Sequence, residues 1–162
     1  MKMVIGGAYQ GKLSWAKEHL WKTDKNLMEN KKAEKCDWID GETCDREAIY
    51  YCTGIYHFHR YVGNFLDPET SLDSKFSGKT AEDLDTDLVE DLDTDFVGDF
   101  AKNLLEKNPN IIVVTDEIGY GIVPLDYGER VYREQVGRVC TALAKESEEV
   151  YRVICGIGSR IK

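Results

Sequence analysis

Val4-Ile5-Gly6-Gly7-Ala8-Tyr9-Gln10-Gly11-Lys12-Leu13 is the stretch that decides the fold expected for this chain of 162 residues. It follows directly on an apolar run that begins at Met1 and is typical of a buried strand. It leads into an amphipathic segment, residues 12 to 22, that predicts a helix. The spacing matches the phosphate-binding loop motif, Gly-x-x-x-x-Gly-Lys-Ser/Thr, at every position but the last. The sequence therefore predicts a strand, an anion-binding loop and a helix in that order.

The chemistry of such a loop rests on its backbone and its lysine. Gly6 and Gly11 permit backbone angles that are closed to other residues, so that successive N–H groups point at one anion. Lys12 would reach the outer phosphates of a nucleotide, while Leu13 stands where a Ser or Thr hydroxyl normally binds Mg²⁺. Ser14 lies about 100° further around the helix and does not simply replace that hydroxyl. The predicted nucleotide-binding residues are Gly6, Gly7, Ala8, Tyr9, Gln10, Gly11, Lys12, Leu13 and Ser14. A glycine-rich turn that binds nothing remains the alternative.

Composition narrows the class of protein. The formal net charge of -9 argues against a nucleic-acid partner, because phosphate backbones attract basic surfaces. No apolar run approaches the length of a membrane span, and no signal peptide is recognised, so we expect a cytoplasmic protein without a membrane partner. The five cysteines contain no Cys-x-x-Cys pair and are expected to be reduced thiols. Cys52 and Cys155 lie in apolar runs and are expected to pack as small hydrophobic residues.

Strand and helix patterns alternate along the rest of the chain, which predicts an α/β fold with a mainly parallel sheet in a single domain, residues 1–162. Further strands are predicted at residues 36–39, 48–53, 111–115, 150–155 and 159–162. Further helices are predicted at residues 55–66, from residue 80 to about 105, and at residues 126–147. Thr43 is expected to cap a short helical turn before the strand at 48–53.

Two features that invite a metal interpretation are better explained without one. The repeated Glu-Asp-Leu-Asp-Thr-Asp at residues 82–87 and 90–95 lacks the Gly and Glu that a calcium-binding loop requires. We interpret it as the solvated face of a helix. His57 and His59 lack further ligands at short spacing, and we interpret both as ordinary polar positions.

Ligands of a parallel sheet collect at the carboxyl ends of its strands. Gly6 to Lys12, Thr53-Gly54 and Asp116-Glu117 all follow predicted strands. The candidate catalytic residues are therefore Lys12, Asp116 and Glu117, with the carboxylates organising Mg²⁺ or acting on an acceptor hydroxyl.

Several motifs together resemble one enzyme family. The sequence Val114-Thr115-Asp116-Glu117-Ile118-Gly119-Tyr120-Gly121-Ile122-Val123-Pro124 resembles the Thr-Asn-Glu-Val-Gly-x-Gly-x-Val-Pro signature of adenosylcobinamide kinase/adenosylcobinamide-phosphate guanylyltransferases. Further matches are Gly6-Gly7-Ala8 with Gly11-Lys12, Tyr132-Arg133, Gly137-Arg138-Val139, and Cys155-Gly156-Ile157-Gly158 through Ile161-Lys162. The resemblance covers about the last 55 residues and the first 20.

This resemblance implies a P-loop NTPase-like, three-layer α/β/α fold that assembles as a homotrimer. It implies ATP or GTP with Mg²⁺, and a cobinamide-type small molecule as the other substrate. It further implies two reactions of cobalamin biosynthesis: phosphorylation of the cobinamide aminopropanol hydroxyl, and GMP transfer through a histidine–GMP intermediate.

The departures from the family pattern limit the expected activity. Residues 20–56 contain no histidine where the family carries its guanylylated one, and Cys140 replaces an Asn after Gly-Arg-Val. We therefore expect kinase-type phosphoryl transfer at most. A non-catalytic paralogue that binds nucleotide or anion, or a regulatory or structural subunit, remains the alternative. Arg130 and Arg133 share a helix face and either meet phosphate or form surface ion pairs, such as Glu129 with Arg133.

Overall fold

A single six-stranded sheet forms the centre of the protein in a computed structural model that describes residues 1–21, 38–65 and 93–162. The spatial order of the strands is β2-β3-β4-β1-β5-β6. Their bounds are β1 Lys2–Ile5, β2 Trp38–Asp40, β3 Gly54–Tyr56, β4 Ile112–Val114, β5 Glu149–Ile154 and β6 Ile157–Arg160.

Five of the six strands run parallel. β1 lies centrally, with Met3 paired to Val113 of β4 on one side and to Val150 of β5 on the other. β6 alone is antiparallel, and it returns along β5 from a turn at Cys155 and Gly156. Central strands that are covered on both faces must be apolar, and the three residues of β4 are fully buried.

Helices cover both faces of this sheet. One face carries α1, Lys12–Ala16, which continues as a π-helical turn, Lys17–Trp21, and packs Trp15, Ala16 and Leu20 against the sheet. The other face carries α2, Phe58–Phe65, α3, Asp93–Lys107, and α4, Tyr127–Glu146. The predicted three-layer α/β/α fold with a mainly parallel sheet is confirmed. Among the described residues, none of these helices combines the length and apolar character that a membrane span requires.

The predicted strand at residues 48–53 is wrong. Arg46–Tyr50 is a 3-10 helix that begins after Asp45, not Thr43, and the strand follows at Gly54–Tyr56. The side chain of Asn108 donates to the carbonyls of Ile49 and Cys52 at 3.0 and 2.8 Å. These bonds satisfy carbonyls that would otherwise need a neighbouring strand, so the aromatic and β-branched residues do not form one.

The displaced strand changes which residues reach the functional edge of the sheet. Gly54 pairs with Ile112 at the amino end of β4, so Thr53 and Gly54 are not at a carboxyl end as predicted. His57 follows the carboxyl end of β3 instead, and the helix expected at 55–66 begins only at Phe58.

The predictions for two helices and two cysteines differ less from the structure. The helices expected at 12–22 and 126–147 are present, and Asp126 caps α4 by accepting from the Glu129 N–H at 2.8 Å. Cys52 is buried as predicted, but Cys155 is exposed in the β5–β6 turn, so its predicted packing is wrong. The start of the helix expected at residue 80 and the first acidic repeat lie outside the described residues.

Candidate functional site

The loop between β1 and α1 has the backbone that its glycines predict. Gly6 has a φ of 155° and Gly11 a φ of 77°, and a Cβ on Gly6 would overlap the carbonyl oxygen of Val153. Tyr9 also takes a positive φ, 58°, with its ring exposed to solvent. Within the described part of the chain, the backbone N–H groups of Ala8 and Tyr9 donate to no other group. The loop therefore offers free amide donors to an anion.

Lys12 is a buried cation held at the base of this loop. Its Nζ lies 2.7 Å from Asp116 Oδ1 and donates to the carbonyl of Gly7 at 2.6 Å, while the residue is only 7% exposed. The structure thus brings together Lys12 and Asp116, two of the three candidate catalytic residues, although 104 positions (116 minus 12) separate them in the sequence.

Two neighbouring segments fix the position of the loop. The Glu117 N–H donates to the carbonyl of Gly6 at 2.9 Å, which joins the loop to the segment after β4. The carbonyl of Gln10 accepts from the Gly156 N–H at 2.9 Å, and its side-chain Oε1 accepts from the Cys155 N–H at 2.6 Å. Gln10, predicted as a binding residue, therefore ties the loop to the β5–β6 turn.

Glu117 is engaged by an arginine that sequence analysis missed. Arg152 Nη2 lies 2.9 Å from Glu117 Oε2 and 3.5 Å from the hydroxyl of Tyr120. Arg152 pairs with Ile5 in the register of β5 with β1, and Ile5 packs on the α4 side of the sheet. The hydrogen bond and charge of Glu117 raise the pKa of Arg152. The available signal was a single cation within the apolar strand of residues 150–155.

His59 lies beside the same edge of the sheet. Its Nδ1 accepts from the Asp116 N–H at 3.4 Å, and its backbone carbonyl accepts from the Tyr132 hydroxyl at 3.0 Å. Burial lowers the pKa of His59, although the charge of Asp116 opposes this. Its interpretation as an ordinary polar position is therefore incomplete, because the ring is buried next to a candidate catalytic residue.

His57 makes a separate group with two acidic residues. Its Nδ1 lies 3.0 Å from Asp40 Oδ1, which also accepts from the Glu42 N–H at 3.0 Å. Burial alone would raise the pKa of Asp40, but the Glu42 N–H and His57 hold it below its usual value. The possible ligand atoms of Asp40, Glu42 and His57 lie within 4.8 Å of one another. Sequence spacing gave no hint of this group, since the β2–β3 pairing creates it.

Arg130 and Arg133 bind the backbone of the loop before α4. Arg130 Nη1 donates to the carbonyls of Pro124 and Leu125 at 3.0 and 2.7 Å, and Arg133 Nη1 to that of Ile122 at 3.2 Å. Arg133 also lies 3.8 Å from Glu129, the surface ion pair that the sequence offered as the alternative to phosphate binding.

The residues present fit a loop-bound Mg²⁺ poorly. Leu13 is half-buried and has no donor atom, and Ser14 is exposed on the helix. The two nearby carboxylates already have cationic partners, Asp116 in Lys12 and Glu117 in Arg152. A hydroxyl and an accessible carboxylate are the usual protein ligands at such a site.

Part of the chain is similar to known proteins of one family. The family model described as cobinamide kinase / cobinamide phosphate guanyltransferase matches residues 69–161. The bifunctional adenosylcobalamin biosynthesis protein CobU of Salmonella typhimurium is 44% identical over 52 residues, which cover 32% of this chain and 29% of that protein. CobU of Escherichia coli gives the same identity and coverage, so the chain matches less than a third of the length of either curated relative. Because the family model extends over more than half of the sequence, the chain belongs to the cobinamide kinase / cobinamide phosphate guanyltransferase family.

Proposed function

We propose that this chain binds ATP or GTP through residues Gly6 to Ser14 and transfers a phosphoryl group to a hydroxyl of a cobinamide-type acceptor. The observation that carries the proposal is the buried Lys12, whose Nζ lies at the base of the loop. Such a cation can bind phosphate oxygens together with the N–H groups of Ala8 and Tyr9, which donate to no group among the described residues.

The two carboxylates would have different roles. Asp116 holds Lys12 in place until phosphate arrives, since the lysine exchanges one anionic partner for another. Glu117 faces Arg152 and Tyr120 and is the candidate to accept the proton of the acceptor hydroxyl. No step is assigned to Mg²⁺, because the residues around Leu13 fit it poorly.

The test of nucleotide binding is the Lys12→Ala variant in calorimetry with ATP, GTP and GDP. Loss of one charge-assisted phosphate contact should weaken triphosphate binding by roughly 1.5–3 kcal/mol, about 10- to 150-fold. Lys17→Ala is the matched control, because Lys17 lies over the ring of Trp38 and outside the loop. Triphosphate affinity that is equal in the Lys12→Ala variant and the wild type would contradict the proposal.

The second candidate function is a non-catalytic paralogue that binds nucleotide or anion. The half-buried Leu13 in the place of the magnesium-binding hydroxyl favours it. Incubation with ATP, Mg²⁺ and cobinamide separates the two functions. Release of ADP that depends on cobinamide supports the kinase, whereas triphosphate binding without release of ADP supports the paralogue.

We further propose that the chain does not transfer GMP through a histidine. His19 is exposed and stacks on Trp15, His57 bonds to Asp40, and His59 uses its Nδ1 to accept from the Asp116 N–H. Intact mass spectrometry after incubation with GTP and Mg²⁺, at neutral to alkaline pH, should show no added GMP. A mass gain of one GMP that disappears in His57→Ala or His59→Ala would show that a relocated histidine performs the transfer.

The family resemblance also supports assembly as a homotrimer. An apolar loop before α4 leaves Tyr120, Ile122, Val123 and Leu125 largely exposed in the single chain. We propose that this loop lies between subunits.

A further inference from the structure

A histidine and two acidic residues come together where β2 and β3 end. β2 ends at Asp40, so Asp40, Glu42 and His57 lie where the chain leaves two paired parallel strands. His57 Nδ1 lies 3.0 Å from Asp40 Oδ1, and the possible ligand atoms of all three residues lie within 4.8 Å of one another. The group is separate from the phosphate loop, since β4 lies between β3 and β1 in the sheet.

The backbone around these residues is tightly constrained. Gly41 lies between the two acids, its N–H donates to the carbonyl of Tyr56 at 2.8 Å, and a Cβ on Gly41 would overlap the carbonyl oxygen of His57. The side chain of Asn64 donates to the carbonyl of Glu42 at 3.1 Å. His57 takes a positive φ of 52°, which is uncommon for a residue other than glycine. The turn that carries both acids is thus packed directly against the residue that supplies the imidazole.

This group differs chemically from the two ion pairs of the candidate site. Lys12 and Arg152, which pair with Asp116 and Glu117, are charged donors without a free electron pair, so neither can bind a metal ion. The partner of Asp40 is an imidazole, which is itself a metal ligand in its neutral form. A metal ion would therefore bind both partners of this contact.

The donor set selects the class of ion. One imidazole nitrogen and two carboxylate oxygens suit Zn²⁺ and similar transition-metal ions, whereas Ca²⁺ and Mg²⁺ prefer oxygen ligands alone. Two ligand atoms on a tetrahedral Zn²⁺ lie about 3.4 Å apart, given bond lengths of about 2.0–2.2 Å. The 3.0 Å contact between Asp40 and His57 is close to that separation, and the side chain of Glu42 is exposed and can rotate toward it. Three protein ligands leave a fourth position for water.

We propose that Asp40, Glu42 and His57 bind one Zn²⁺ or a similar divalent transition-metal ion. The site lies outside the phosphate loop and does not depend on the proposed phosphoryl transfer. The ion would link the turn after β2, which carries the two acids, to His57, which precedes α2. Because the ligands come together only in the folded chain, binding should raise the temperature of unfolding.

Two substitutions remove ligands with little effect on the fold. His57→Asn removes the imidazole and introduces a residue type that tolerates a positive φ. Glu42→Gln removes the charge of an exposed side chain. The matched controls are His19→Asn and Glu47→Gln, which make the same changes at exposed residues outside the group.

The experiment treats the full chain with a chelator and then titrates it with Zn²⁺ in calorimetry and with Co²⁺ in absorption spectroscopy. We expect the wild type to bind one ion per chain. His57→Asn and Glu42→Gln should weaken binding at least about tenfold, while both controls stay within about twofold of the wild type. Zn²⁺ should raise the unfolding temperature of the wild type but not that of His57→Asn, and excess Mg²⁺ should not displace it.

The opposite results would overturn the proposal. A wild type that binds neither Zn²⁺ nor Co²⁺ has no such site. Equal affinity in the wild type and in both ligand variants would place the ion elsewhere, because an ion bound by cysteine thiols does not depend on His57 or Glu42. An equal loss in His19→Asn or Glu47→Gln would show that these three residues are not the specific ligands. Displacement by Mg²⁺ would contradict the class of ion.

Discussion

At the scale of single residues, His59 makes the stability of the folded protein depend on pH. Burial lowers its pKa from the ordinary value of 6.5, against the opposing charge of Asp116, and Arg60, His57 and Lys12 lower it further. The folded protein therefore protonates the ring at a lower pH than the unfolded chain does. Because the unfolded state then binds more protons below the ordinary pKa, the free energy of unfolding falls as the pH falls through 6.5.

We expect this loss of stability between about pH 7.5 and pH 5.5, with a slope of at most about 1.4 kcal/mol per pH unit for the one proton. His59→Asn keeps an acceptor for the Asp116 N–H but does not titrate, so its stability should depend less on pH over that range. Denaturant unfolding at several pH values measures the difference. His19→Asn, at an exposed histidine, is the matched control, and equal slopes for all three proteins would show that His59 is not responsible.

The sequence predicted the residues of the candidate site correctly where a short local motif contains them. The Gly6 to Lys12 spacing and the acids after an apolar strand identified groups that lie within 2.7 Å of each other, Lys12 and Asp116. Arg152 was missed because its one local signal, a cation within an apolar strand, does not indicate which acid it meets. Its importance comes from the pairing of β5 with β1, which places it on the same face as Ile5 and next to Glu117.

At the scale of elements, the strongly apolar and strongly periodic segments were predicted well. β1, β4, β5 and α4 each have a continuous apolar run or a capped amphipathic pattern. The segment at 46–50 has a strand-like composition, yet it forms a 3-10 helix to which the Asn108 side chain donates a hydrogen bond. The hydrogen bond from Asn108 to Ile49 joins residues 59 positions apart, so local propensity cannot predict it.

The connection between β1 and α1 depends on Gly6. Its positive φ and the nearby carbonyl of Val153 leave no space for a Cβ, so Gly6→Ala must displace either the loop or β5. We expect a loss of about 1–3 kcal/mol in the free energy of unfolding, measured by urea denaturation. Triphosphate affinity should fall as well, because the loop amides and Lys12 move with the backbone.

Gly98→Ala supplies the opposite case for comparison. Gly98 lies in α3, and a Cβ there would meet no atom within 4 Å. This substitution should stabilise the protein by about 0.5–1 kcal/mol through helix propensity alone. If Gly6→Ala were as stable as Gly98→Ala, the described loop conformation would be wrong.

At the scale of the whole molecule, the end of the sheet divides into two sides that share one segment. Asp116 pairs with Lys12, which belongs to α1 on one face of the sheet, whereas Glu117 pairs with Arg152, which lies on the α4 side. Adjacent residues after β4 therefore have their cationic partners on opposite faces of the sheet.

The prediction about assembly is based on the loop that follows this segment and precedes α4. Ile122 and Leu125 are 92% and 99% exposed, while Arg130 and Arg133 hold the loop backbone through its carbonyls. Exposed apolar side chains on a fixed backbone are typical of a surface that a partner covers. We expect light scattering to report a trimer at micromolar concentration and the Ile122→Asp/Leu125→Asp double variant to be monomeric, because burial of two carboxylates at an interface is strongly unfavourable.

The control for this experiment is an equally exposed apolar residue elsewhere. Tyr51 is 80% exposed and follows the 3-10 helix, so Tyr51→Asp should leave the trimer unchanged. A wild type that is monomeric at micromolar concentration would contradict the trimer itself. A double variant that remains trimeric would instead place the interface elsewhere, because two new carboxylates on the loop would then have remained in water.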